Sequence, residues 1–162
     1  MMRWTETIDI DAPEDLVRTA MLDQHHVVRW SAWPEATGLS CTVHGDGTSP
    51  GSEIVFRDDA GTVQGRQRIT AVDGQRIANR LENRGPLGRT MTPRVDFVVT
   101  RLAHDRTRAA LDFEADVPLP VGLRHLVQLA MSRWARRLHV EDLRLLKSYV
   151  ESGAVDVGQG ET

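Results

Sequence analysis

The chain has 162 residues, 40% of them hydrophobic and 27% charged, with a formal net charge of −3. That is enough for one domain of an ordinary soluble protein, and too acidic for a general nucleic-acid binder, which needs a strongly basic face. The single cysteine, Cys41, excludes an intramolecular disulfide and reads as a small buried hydrophobe.

The first strand is expected over residues 4–10, WTETIDI, with Trp4, Ile8 and Ile10 on one face and Glu6 interrupting it. DAPE follows. Asp11 and Glu14 have the spacing of a capping box, and Pro13 suits an early helical position because its missing N–H needs no partner there. Leu16, Val17, Ala20 and Met21 then share a helical face, which predicts a short helix to about residue 23. A second short helix runs from Gln24 to about Ser31 and carries Val27, Val28 and Trp30. Pro34 ends it, because the residue before a proline is driven out of helical geometry.

From Gly38 to Val117 the period is two. Leu39, Cys41 and Val43 share a face; Ile54 and Phe56 form the next strand. Val63, Gln67, Ile69 and Ala71 share one parity, with Gln64, Arg66, Arg68 and Thr70 on the other. Asp73–Gly74 marks a hairpin. Ile77, Asn79, Leu81 and Asn83 alternate with Ala78, Arg80, Glu82 and Arg84, and a long loop covers 84–93. Val95, Phe97 and Val99 follow, then a turn at His104–Asp105, then Ala109, Leu111, Phe113, Ala115 and Val117. Short connections between such strands predict an antiparallel meander with one wet face.

Pro118–Pro120 stop the last strand, and a long helix runs to about Ser152. Val127, Ala130, Met131, Trp134, Leu138, Leu145 and Tyr149 fall within a sector of about 100°. Leu143, Leu146 and Val150 widen it towards the C-terminus. The fold class is α+β: a curved antiparallel sheet of about seven strands wrapped around a long C-terminal helix, with two short helices after the first strand. One domain is expected over 1–152, with a flexible tail over 153–162.

The N-terminal MMRWTETIDID lacks a basic region followed by an apolar run, so no secretory signal is read there. No stretch reaches the about 18 apolar residues of a membrane span. A cytoplasmic protein without integral membrane association is expected. A homodimer is allowed but not demanded.

The element order, with DAPEDLVRTAMLD, then HVVRWSAWPEATG, and a terminal EDLRLLKSYVE, resembles the START-like helix-grip superfamily, also called SRPBCC. Within it the chain is most similar to the polyketide cyclase/dehydrase and lipid-transport branch, over residues 4–151. The resemblance implies a deep apolar cavity between sheet and long helix. It implies no single activity, since such folds serve enzymes, carriers and sensors.

In that picture Trp30 and Trp33 lie near the cavity wall or mouth; alternatively Trp30 seals the core under its helix. Phe97, Phe113, Met131 and Trp134 are expected to supply apolar wall. Gln67, Asn79 and Asn83 share the inward parity, and buried amides must bond one another, water or a guest. Asp142 and Arg124 project near the helix's apolar sector and are the candidates for acid–base work, although surface pairing would account for either. Cyclases of this kind are expected to use a cavity arginine from the middle strands, whereas Arg66, Arg68 and Arg80 take the outward parity here. No histidine pair has zinc-ligand spacing and no glycine run has a phosphate-loop setting, so no metal or cofactor is expected. Loops 44–51 and 84–93 are candidate lids. Three functions are consistent with this reading: binding of a small hydrophobic molecule (a lipid, polyketide or isoprenoid), a polyketide cyclase/dehydrase-type enzyme, or a protein-interaction module with a filled interior.

Overall fold

The computed structural model describes residues 1–85, 88–117 and 119–155. Its elements run in the order β1 (Met2–Ile10), α1 (Glu14–Leu22), α2 (Gln24–Trp30), α3 (Trp33–Thr37), β2 (Ser40–His44), β3 (Glu53–Arg57), β4 (Val63–Val72), β5 (Arg76–Arg84), β6 (Thr90–Met91), β7 (Arg94–Ala103), β8 (Arg106–Ala115) and α4 (Val121–Glu151). The strands form one eight-stranded antiparallel sheet in the order β1-β8-β7-β5-β4-β3-β2, with the two-residue β6 pairing β5. First and last strands pair along their whole length, Met2 opposite Ala115 through Ile10 opposite Thr107.

One face of the sheet holds the core. Ile54, Ile69, Ile77, Val99, Ala109 and Leu111 are almost wholly buried, and Val17, Ala20 and Met21 of α1 pack over them. The C-terminal half of α4 closes this core with Leu143, Leu146 and Val150. Burying each such side chain is worth about 1.5–3 kcal/mol. The N-terminal half of α4 is different: Val121, Leu123, Leu126 and Leu129 are exposed. A helix of 31 residues is about 46 Å long at 1.5 Å per residue, whereas ten-residue strands such as β7 and β8 span only about 33 Å. The helix therefore outruns the surface that could cover it.

Several local expectations are corrected. The Asp11–Glu14 capping box does not form: Pro13 is the N-cap of α1 without a side-chain bond, and the Asp11 N–H instead donates to Glu151 Oε1 at 2.9 Å. Pro34 does more than follow the end of α2. It sits in the first turn of a third short helix, where proline is tolerated, and Gly38, at φ 69°, ends that helix in a left-handed conformation. Ala71 is exposed and Val72 half-buried, because a register shift between Ile69 and Ala71 reverses the parity of the end of β4. Val155 is buried against the core, so the C-terminal segment stays packed past Gly153. The remainder of the expected tail, 156–162, lies outside the described residues, as do Pro86 and Leu87 of the long loop.

Candidate functional site

Between the middle of α4, the α2–α3 turn and the concave face of β3–β8 lies a cavity of about 430 Å³. Such a volume falls in the range of small-molecule sites, about 300–1,000 Å³. Its walls are mostly apolar: Val27, Ile54, Phe56, Leu81, Met91, Val95, Leu111 and Leu138 among them.

Of the nine residues expected to face a guest, eight line it: Trp30, Trp33, Gln67, Asn83, Phe97, Phe113, Met131 and Trp134. Trp30 has two roles. Its indole N–H donates to the Ala20 carbonyl at 2.8 Å, sealing the α1–α2 corner, while its ring contacts the cavity and lies 6.0 Å from Phe97. Trp33 meets Phe56 and Trp134 edge to face, with centroids 6.1 and 5.7 Å away. Its indole N–H is buried with no hydrogen-bond partner among the described residues, and the Gln67 amide nitrogen is in the same position. Trp134 is 48% exposed and stands at the rim.

Asn79 does not join the wall. It is buried, but its amide turns back onto the Ile77 carbonyl of its own strand at 3.2 Å and lies outside the cavity lining. Asn83 has room because its cross-strand partner is Gly65: a Cβ there would stand 2.5 Å from Asn83 Oδ1. Gln64, expected outward, lines the cavity because the register slips between Phe56 and Arg57 and reverses the pleat beside it. Arg66 and Arg68 face away and share Glu53 at 2.7 and 2.9 Å; Arg80 is exposed. Arg84, at the exposed end of β5, is the one arginine among the described lining residues.

The two candidate acid–base residues separate. Arg124 pairs with Asp116 at 3.6 Å and takes no part in the lining, since it lies in the turns of α4 that overhang the sheet. Asp142 is 8% exposed and lines the cavity. Burial pushes its carboxyl up to about 6, against the opposing pull of the Ala32 N–H at 2.7 Å and the Ser31 hydroxyl at 3.2 Å, both on Oδ1.

One turn before Asp142 stands His139, which has no zinc-ligand spacing to another histidine. It is 8% exposed and lines the cavity, and burial holds its imidazole down to about 4. Trp4 Nε1 donates to its Nδ1 at 3.1 Å, and Phe113 stacks on Trp4 at 4.2 Å. The helical spacing of His139, Asp142, Leu143 and Leu146 carried the signal for its inward placement; the partner 135 positions away did not show in any local pattern.

Loop 44–51 is not a wall of this cavity. Asp46 ties it to itself through the Thr48 and Ser49 N–H groups and the Ser52 hydroxyl, and the Gly47 carbonyl accepts the Gln24 N–H at 2.9 Å. From the other loop, Arg84, Gly85, Met91 and Pro93 do line it.

No protein-family model matches the chain, and no curated protein sequence matches it. Solved structures do, across nearly its whole length. The Zhui aromatase/cyclase from Streptomyces sp. R1128 is 18% identical, with a TM-score of 0.64 over 97% of this chain and 98% of that one. A protein from Chromobacterium violaceum is 17% identical, with a TM-score of 0.65 over 92% and 96%. Norcoclaurine synthase from Thalictrum flavum, solved with dopamine and hydroxybenzaldehyde, is 12% identical, with a TM-score of 0.64 over 93% and 87%. The fold is the helix grip: an antiparallel sheet clasping a long C-terminal helix, with short helices after the first strand. No helix among the described residues is long and apolar enough to cross a membrane.

Proposed function

We propose that the protein binds a small, predominantly apolar molecule in the cavity between sheet and α4. The observation that carries this reading is the cavity of about 430 Å³ with mostly apolar walls. A mostly apolar pocket of this size with a few grouped polar side chains is the usual form of a small-molecule site. The polar groups are few and grouped: Gln64, Gln67 and Asn83 on β4 and β5, His139 and Asp142 on α4. They orient a guest whose bulk is apolar, a lipid, polyketide or isoprenoid in size and chemistry.

The neutral dye N-phenyl-1-naphthylamine tests this. Wild-type protein binds one equivalent with enhanced fluorescence, and Ala135→Trp, which places an indole into the cavity from α4, abolishes binding while the fold persists by circular dichroism. Undiminished binding by Ala135→Trp would place the dye elsewhere and remove the support. Native mass spectrometry of the freshly purified protein adds a check, with a co-purified apolar mass expected.

A second reading, an enzyme of the polyketide cyclase/dehydrase kind, has one observation in its favour. Asp142 reaches the cavity with a carboxyl poised near neutrality, and the fold is shared with an aromatase/cyclase. Holding a flexible chain folded would supply much of such a rate. Cyclisation of a linear poly-β-ketone that is lost in Asp142→Asn supports it; cyclisation that survives excludes Asp142 as the acid–base group.

A further inference from the structure

We propose that His139 is a fixed hydrogen-bond donor in the cavity and that it selects guests bearing a neutral acceptor oxygen, a ketone or ester carbonyl, over hydrocarbons and over carboxylates. This rests on the cavity being a ligand site, as argued above, and names the chemistry of its ligand.

The argument begins with Trp4. An indole N–H can only donate. It lies 3.1 Å from Nδ1 of His139, so that nitrogen must present its lone pair. In a neutral imidazole the proton then sits on Nε2. A second proton could be added only at Nδ1, against the Trp4 N–H. Burial opposes the same protonation, and the ring stays neutral. Trp4 cannot easily turn away: its ring stacks on Phe113 at 4.2 Å with 19° between planes, and Phe113 lies 5.1 Å from the His139 ring. Strand β1, strand β8 and helix α4 together hold the imidazole in one orientation and one tautomer.

Among the described residues His139 makes no hydrogen bond through Nε2, and the ring lines the cavity. With Nδ1 committed to Trp4, the polar group left on the ring is the Nε2–H, on a ring that lines a mostly apolar cavity next to Phe113. A donor in such a place discriminates strongly, because a guest without an acceptor leaves it unpaired. A carbonyl oxygen satisfies it. A carboxylate would satisfy it too, but would lie in the same cavity as Asp142, one helical turn away, whose ionised form repels it. The only arginine of the described lining, Arg84, is on β5, three strands along the sheet from Trp4, and is exposed.

Displacement of N-phenyl-1-naphthylamine by 2-nonanone, nonane and nonanoate at neutral pH tests this. The wild type should bind 2-nonanone about tenfold more tightly than nonane, and more tightly than nonanoate. His139→Phe should remove the ketone's advantage, so that 2-nonanone and nonane bind alike. ¹⁵N NMR of the wild-type ring should show a single tautomer with the proton on Nε2; Trp4→Phe, which keeps the stacking and removes the N–H, should show a mixture. Equal binding of ketone and hydrocarbon by the wild type overturns the inference and leaves apolar ligand binding standing, whereas failure of all three to displace the dye overturns both. A wild-type spectrum with the proton on Nδ1 overturns the inference without any variant.

Discussion

Asp142 accepts the backbone N–H of Ala32 at 2.7 Å, and this bond ties the middle of the long helix to the turn that carries Trp33. Ser31 completes the joint: its hydroxyl donates to the same carboxylate oxygen at 3.2 Å and accepts the Trp33 N–H at 3.2 Å. One carboxylate thus positions both an aromatic wall of the cavity and the helix opposite. Asp142→Ala leaves the Ala32 N–H buried and unpaired, and should cost about 1–3 kcal/mol in urea denaturation. Asp142→Asn keeps an acceptor oxygen in place and should retain most of that stability. An alanine variant as stable as wild type would show that the turn is held by packing alone.

The two buried titratable groups of α4 act on stability with opposite sign. His139 has its folded value at about 4, below the about 6.5 of an unfolded imidazole. The unfolded chain therefore takes the proton first, and the contribution present above pH 6.5 is lost as pH falls towards 4. Asp142 has its folded value at about 6, above the about 3.9 of a free carboxyl. Its contribution is complete below that lower value and is lost as pH rises through 6. Each is worth on the order of 3 kcal/mol, so between pH 4 and 6 they largely cancel. Relative to wild type, Asp142→Asn should grow more stable as pH rises across this window, and His139→Gln should grow less stable. Urea curves at several pH values read both slopes; parallel behaviour of all three proteins would contradict them.

On the outer face of the sheet Asp96 is buried between two guanidinium groups, Arg76 at 2.6 Å and Arg94 at 2.7 Å, and Arg76 also reaches Asp112 at 3.1 Å. Burial alone would raise its carboxyl, but the two arginines outweigh burial and hold it below the usual carboxylate range. Asp96→Ala should destabilise by about 1–2 kcal/mol, a moderate figure because both guanidiniums are half in water. Removing the exposed Glu141–Arg144 pair should leave the melting temperature unmoved. Equal effects from the two changes would count against the burial argument.

Gly65 occupies an inward position on β4 where a Cβ would stand 2.5 Å from Asn83 Oδ1 and 2.9 Å from the Glu82 carbonyl oxygen. The second of these is backbone and cannot swing aside. Gly65→Ala should therefore lower stability by about 1–3 kcal/mol and weaken dye binding by displacing Asn83 from the wall. Unchanged binding in a folded Gly65→Ala protein would show that the placement of Asn83 has no bearing on the guest.

Much of this architecture is legible from residue periodicity. The inward parity of Ile77, Leu81 and Asn83, and the apolar stripe of α4 from Leu138 to Val150, follow from side-chain geometry that repeats every two residues in a strand and every 3.6 in a helix. These patterns, with the turn residues between them, are enough to specify a sheet closing around one helix, and eight of the nine residues expected to face a guest lie in the cavity lining.

Tertiary structure decided what periodicity cannot carry. The register shifts beside Arg57 and Ala71 reverse a pleat without changing the local pattern, and so bring Gln64 to the wall and turn Ala71 to water. Asn79 has the same parity as Asn83, yet its amide bonds within its own strand. The partners that give Asp142 and His139 their chemistry stand 110 and 135 positions away in sequence. Local patterns report which way a side chain points because that depends on neighbouring backbone. Which atom it meets there depends on how distant segments pack, and a hydrogen bond or a proton's location is set only at that level.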